Sequence, residues 1–267
     1  MQDVGIFVNY GMEIDLSLNL RLIKEAGFDS VMTFWPDRIL ENADVIGLVH
    51  EYGLYIDCAH LPYRDINGLW RGGINGDAIE EWIVKWTCEC SFHSIPVIVL
   101  HVNYHKDDNG IPAFNKIGLE RFKKIVDNAE KHNIKIALEN GGHNEHLEYI
   151  MQNIQSPNLG VCYDSGHNHC FTPKIDILAK YKKNIFALHL SDNDGIGDQH
   201  LLPFDGTIDW HEVARQLCKT NFNGSLVLEV QQNKFSGYGG LCAEEFLRLS
   251  YNQVNKLKNL IKNTCYQ

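Results

Sequence analysis

The chain has 267 residues, of which 44% are apolar and 22% charged, close to the averages of soluble globular domains and far from disordered or fibrous chains. A formal net charge of −10 offers no uniform positive field to nucleic acid or acidic membranes, and favours small, neutral or modestly charged partners. No apolar run approaches the ~18 residues that span a bilayer, and the opening MQDVGIFVNYGMEID lacks a secretory pattern, so a cytoplasmic location without membrane contact is expected.

Short apolar runs rich in β-branched and aromatic residues recur along the chain, with amphipathic stretches between them. They are VGIFVNY from Val4, FDSVMTFW from Phe28, LYIDCAHL from Leu54, VIVLHVN from Val97, KIALEN from Lys135, LGVCYDSGH from Leu159, FALHLSDN from Phe186 and LVLEV from Leu226. Runs of this kind predict strands of a parallel sheet buried on both faces. The intervening SLNLRLIKEAGF, DAIEEWIVKWTCECSFH, GLERFKKIVDNAEKHN and AEEFLRLSYNQVNKLKNLIKN place apolar residues at three- and four-residue spacing, which predicts helices. NEHLEYIMQNIQ predicts a short one in the fifth unit. Gly27, Gly53 and Asn133 stand where helices end. Eight βα units without a linker predict an α/β fold, a single (β/α)8 TIM barrel domain over residues 1–267. No glycine-rich phosphate fingerprint follows the first strand, which argues against a doubly wound open sheet.

Eight cysteines are present. Cys58, Cys162, Cys218 and Cys242 fall inside apolar patterns in a chain large enough to fold without staples, so all are expected to be reduced and packed. Cys88 and Cys90 lack the spacing of a redox or zinc pair.

Six predicted strands end in an ionisable residue: His60, His101, Glu139, Asp164, His189 and Glu229. In a parallel barrel these ends share one mouth. Three carboxylates converging on a small buried volume repel one another unless a cation is present. The predicted ligands of one divalent ion are therefore Glu139, Asp164, His189 and Glu229. Oxygen-rich ligation with one imidazole suits Mn²⁺, Co²⁺, Mg²⁺ or Zn²⁺. His167, Asp198 and His200 are further candidates as substrate contacts or ligands of additional ions, as are His60 and His101. Trp35 and Trp70 are readable either as substrate-facing aromatics or as packing. Gly195, Gly197 and the SGYGG tract from Ser236 are readable as phosphate-binding backbone or as plain loops.

With HLPY at His60, the tract INGLWRGGINGD, IALEN, GVCYDSGH, ALHLSDNDGIGDQHLLPFDGTIDW and LVLEV, the chain resembles the xylose isomerase-like barrel superfamily over nearly its whole length, in particular its sugar phosphate isomerase/epimerase branch. The resemblance to ketose 3-epimerases implies one metal held by Glu139, Glu229, Asp164 and His189, with the two glutamates also transferring the proton. It implies sugar contacts from His167 and Glu145; on that reading His60, His101, His167 and His200 are expected to orient hydroxyls and Trp35 to stack on the sugar. The arginine that family carries after the seventh-strand histidine is absent, and Gly195 and its neighbours stand in its place. Endonuclease IV, another relative, implies up to three zinc ions on His60, His101, Glu139, Asp164, His167, His189, Asp198, His200 and Glu229. The expected function is a metal-dependent sugar or sugar phosphate isomerase/epimerase working through a metal-stabilised enediolate. The alternative is an endonuclease IV-like phosphodiesterase acting on abasic DNA, against which the acidic charge weighs. A homo-oligomer is compatible with either.

Overall fold

The strands are buried almost throughout, and the alternation of side-chain direction along each decides which residues fill the barrel and which meet the helices. The strands are β1 (Val4–Phe7), β2 (Ser30–Phe34), β3 (Tyr55–His60), β4 (Val97–Leu100), β5 (Lys135–Glu139), β6 (Leu159–Asp164), β7 (Ile185–His189) and β8 (Leu226–Leu228). They come from a computed structural model that describes residues 2–34, 45–233 and 236–266. Neighbouring strands pair in parallel in the order β8-β1-β2-β3-β4-β5-β6-β7. Leu190 N donates to Val227 O at 2.9 Å and Glu229 N to Leu190 O at 3.1 Å, which joins β7 to β8 and closes the barrel.

The helices wrap this cylinder: α1 (Leu16–Ala26), α2 (Val45–Glu51), α3 (Ile74–Phe92), α4 (Lys116–Lys131), α5 (Glu145–Asn153), α6 (Ser165–Phe171), α7 (Ile177–Tyr181), α8 (Trp210–Leu217) and α9 (Ala243–Cys265). Their ends follow local chemistry. Asp15 and Asn115 accept from the backbone N–H groups of Leu18 and Gly118 at 3.1 and 3.0 Å and so start α1 and α4. Gly27 ends α1 at φ 109° and its N–H reaches the carbonyls of Ile23 and Lys24. A side chain there would also collide with the Tyr251 ring, 2.6 Å from the position a Cβ would take. Among the described residues no helix is long and apolar enough to cross a membrane.

Two apolar layers result. The larger fills the space between strands and helices. The smaller lies inside the barrel and takes at least one residue from each strand: Phe7, Met32, Cys58, Val97 and Val99, Ala137, Cys162, Ala187 and Val227. Because strand side chains repeat every second residue, adding two to these positions gives the next inward-facing ring. That ring is Asn9, Phe34, His60, His101, Glu139, Asp164, His189 and Glu229, one residue per strand. The barrel interior thus changes from apolar to ionisable within one layer.

One expectation is corrected. Cys218, which caps α8, is bonded to Cys265, the last residue of α9. The two helices pack together and bring the Cα atoms to 5.3 Å, within bridging range. Cys58, Cys88, Cys90, Cys162, Cys170 and Cys242 are free thiols, as expected, but Cys242 is exposed rather than packed because it stands at the N-cap of α9. Trp70 is a packing residue: it is buried, its Nε1 donates to Val102 O at 2.7 Å, and its ring lies against Phe122 and His146.

Candidate active site

Glu139 is the hub of the ionisable ring. Its Oε2 lies 3.0 Å from His60 Nε2, 3.4 Å from His101 Nε2 and 3.4 Å from His189 Nδ1, while Oε1 lies 3.1 Å from His167 Nδ1. Glu229 Oε2 stands 2.9 Å from the same His189 nitrogen. Strand pairing sets Asp164 beside His189 in register. Glu139, Asp164, His189 and Glu229 each place a donor atom so that all four atoms fall within 4.8 Å of one another.

Strand β6 turns directly into α6 because Asp164 serves both: its Oδ1 accepts from His167 N at 2.7 Å and caps the helix. The cap carries His167 back over the mouth. The buried Asn140 fixes the register above β5 and β6, accepting from Asp164 N at 2.8 Å and donating to Asp164 O at 3.0 Å. In the loop after β7, the buried Asp192 accepts from Phe204 N, Ile208 N and Trp210 Nε1 at 3.0, 3.1 and 2.7 Å. Gly206 is required there, since a Cβ would sit 2.3 Å from Asp192 Oδ1. This anchored loop hangs Asp198 and His200 over the ring.

Three histidines have their tautomer set by backbone. The Nδ1–H of His60, His167 and His200 donates to the carbonyls of Leu61, Asn140 and Glu229 at 2.8, 3.0 and 2.8 Å, since a carbonyl only accepts. Each Nε2 then faces a carboxylate oxygen: Glu139 at 3.0 Å for His60, and Asp198 at 3.3 and 3.1 Å for His167 and His200. A bare nitrogen and a carboxylate repel at that distance, so each contact calls for a cation between them, either a proton or a metal.

Titration behaviour follows from burial among these charges. Burial pushes the Asp164 carboxyl up to about 7, with the His167 charge opposing and Glu229 and Glu139 adding to the rise. For Glu139 burial acts upward too, yet the His101 and His189 charges prevail and hold it well below the usual range. His200 is raised to about 10; burial works against this and the Asp198 hydrogen bond and charge outweigh it. Burial raises the Cys58 thiol, which lies one layer down, to about 11.

The donor set fits a divalent cation. Asp164 Oδ2, both His189 nitrogens and Glu229 Oε2 are buried without a hydrogen-bond partner. Donors sharing an ion at the usual bond lengths of ~2.0–2.2 Å stand ~3–3.5 Å apart, which the His189 contacts match. His60, His101 and Glu139 form a second group of the same kind, sharing Glu139.

Of the other expected residues, Glu145 opens α5 as an exposed first-turn residue and does not join the cluster. Trp35 lies outside the described residues. Gly195 belongs to a turn fastened by Asn193 and Asp194 side chains, and α9, after the SGYGG tract, carries Glu244 and Glu245 in its first turn. Tyr63, which sequence reading missed, stacks on His101 at 4.2 Å and 11°. With Phe34, Asn9, Arg64, Ile79 and Trp82 it lines a groove of about 770 Å³ beside the ring. The HLPY tract was the available signal, three residues beyond His60.

Residues 20–246 match the family described as "Xylose isomerase-like TIM barrel". The chain belongs to that family. Curated relatives include "Uncharacterized protein y4fM" of Sinorhizobium fredii, 30% identical over 52% of this chain and 49% of that protein. "Uncharacterized protein MJ1311" of Methanocaldococcus jannaschii is 28% identical over 64% of this chain and 62% of the relative. The chain thus spans about half to just under two thirds of the length of the curated relatives it matches. A D-tagatose 3-epimerase-like protein superposes with a TM-score of 0.79 at 21% identity, covering 98% of both chains. D-psicose 3-epimerase from Clostridium cellulolyticum H10 gives 0.79 at 14%, covering 97% of this chain and 99% of that one. The 3-keto-D-glucoside 4-epimerase from E. coli gives 0.73 at 15%, with 97% and 100% covered. These likenesses establish that this xylose isomerase-like barrel shares their fold.

Proposed function

We propose that the chain is a divalent-metal-dependent isomerase or epimerase of a small carbohydrate, acting by proton transfer at the carbon beside a carbonyl. The observation that carries this reading is the pair Glu139 and Glu229. They end β5 and β8's inner face, approach one His189 nitrogen at 3.4 and 2.9 Å, and lie within 4.8 Å of each other and of Asp164. Two carboxylates across one small volume are what removal and return of a proton on a single carbon require. A divalent ion held by Glu139, Asp164, His189 and Glu229 supplies Lewis-acid stabilisation of the charge that builds on the substrate oxygens. One glutamate takes the proton and the other returns it, and return on the opposite face inverts the carbon. His60, His101, His167 and His200 orient hydroxyls, and Phe34 and Tyr63 offer rings against which a sugar packs. The names of the three superposed epimerases support the same substrate class.

A second reading, metal-dependent phosphodiester hydrolysis at abasic DNA, is favoured by one observation: the His60–His101–Glu139 group and the His167–Asp198–His200 group flank the central four. Several ions there would clamp a phosphate. The net charge of −10 opposes a DNA partner. The deciding experiment loads the protein with Co²⁺, counts ions per chain, and presents both a panel of free and phosphorylated ketoses and an abasic-site duplex. One ion with ketose turnover supports the isomerase reading; three ions with strand cleavage and no ketose turnover overturns it.

A further inference from the structure

His189 is fully buried, and neither ring nitrogen has a properly directed hydrogen bond. Its Nδ1 is turned to Glu229 and Glu139. With Nδ1 facing those carboxylates, Nε2 is the nitrogen left for a second partner. A histidine that ligates a metal ordinarily donates its second N–H to a carboxylate, a backbone carbonyl or water, which fixes the tautomer and raises the basicity of the ligating nitrogen. No such group meets His189 among the described residues.

Two thiols stand there instead. Cys58 on β3 and Cys162 on β6 belong to the inner layer directly beneath the ionisable ring, each two residues before a ring member, His60 and Asp164. Both are fully buried, and His189 interacts with both. Cys162 Sγ, a His189 nitrogen and a Glu139 oxygen lie within 4.8 Å of one another. Elsewhere among the described residues this layer carries alkyl or aromatic side chains and the Met32 thioether, and Cys58 and Cys162 are the members that interact with His189.

We propose that Cys58 and Cys162 are positioning residues for His189: their sulfurs receive the Nε2–H as a long, soft contact and keep the imidazole in the tautomer that presents a bare Nδ1 to the cation. The proposal rests on the metal-dependent reading above. Sulfur is a weak acceptor, so the ring is oriented mainly by packing between the two thiols and its ligating nitrogen is not made more basic. The cation keeps more of its charge for the substrate than it would over a carboxylate-backed histidine.

The test uses the full chain and Co²⁺ as the probe, reading affinity by chelator competition and ligation by the visible absorption bands of the bound ion. The double variant Cys58→Ala/Cys162→Ala is expected to bind Co²⁺ about 10- to 100-fold more weakly, with altered band positions or intensity. The near-isosteric Cys58→Ser/Cys162→Ser restores an acceptor and is expected to recover most of the affinity. A purely structural role would lower the melting temperature with and without metal and leave the bands unchanged. Alanine and serine variants that unfold cooperatively in chelator and bind Co²⁺ with wild-type affinity and bands would overturn the proposal alone. Wild-type protein that fails to bind Co²⁺ would overturn the metal-dependent reading, and this proposal with it.

Discussion

Replacing Asp164 with Asn should make the metal-free protein more stable and the metal-loaded protein less so. Asp164 is fully buried; its Oδ1 caps α6 and its Oδ2 has no hydrogen-bond partner. Asparagine keeps an oxygen for the cap and puts a neutral group where Oδ2 stands. Burial and the neighbouring carboxylates raise the native carboxyl from 3.8 to about 7, against the His167 charge. The native state therefore holds this proton more tightly than the unfolded chain does. Its contribution is most favourable below the unfolded value, falls as pH rises through about 7, and is fully unfavourable at pH 8. At ~1.4 kcal/mol per pH unit the ceiling is ~4 kcal/mol, and relaxation of the surrounding charges reduces it to about 2–4 kcal/mol. For a domain of this size that is a rise of roughly 5–10 °C in the metal-free melting temperature at pH 8, shrinking toward zero near pH 4. With millimolar Co²⁺ the order reverses, because a ligand that binds only the native state stabilises in proportion to its affinity. Urea and thermal unfolding in chelator and in Co²⁺ read both effects. An Asp164→Asn protein less stable than wild type in chelator at pH 8 would refute the view that this carboxylate awaits a cation.

Further expectations concern other parts of the chain. Cys218→Ser should lower stability by ~4 kcal/mol on the loop-entropy estimate for a bridge whose ends are 47 residues apart; an unfolding midpoint unchanged by mutation and by reductant would contradict it. His200, raised to about 10 by Asp198 against burial, adds stability that is fully present below its unfolded value near 6.5. That stability is lost as pH rises through about 10. The metal-free unfolding midpoint should accordingly decline across that window, and His200→Gln should flatten the decline; an identical slope in the variant would exclude His200 as its source.

Much of this was legible in the sequence because strand and barrel share one period. Every run from Val4 to Leu226 became a strand, and Glu139, Asp164, His189 and Glu229 each stand two residues beyond an inward apolar residue, so the alternation already set them on the inner face. Asn9 and Phe34 obey the same rule but carry no charge, and their membership of the ring emerged only from the closed barrel. The helix α6 was hidden because Asp164 ends a strand and caps a helix with one side chain. The Cys218–Cys265 bridge was illegible for another reason: each cysteine fits an amphipathic pattern, and only the packing of α8 on α9 brings them together. Asn140 and Asp192 act through hydrogen bonds to backbone far along the chain, which no local pattern announces.

The central claim is that Glu139 and Glu229 move a proton on the carbon beside a sugar carbonyl. Its most direct test is to incubate the Co²⁺-loaded protein with free and phosphorylated ketoses in D₂O and to follow deuterium at that carbon by NMR. Wild-type protein is expected to wash solvent deuterium into the position, because the abstracted proton exchanges before it returns. Glu229→Gln is expected to retain sugar binding and lose the exchange, since the amide fills the same space without accepting a proton. Absence of exchange from every ketose in the panel by metal-loaded wild-type protein, or undiminished exchange in Glu229→Gln, would contradict the claim.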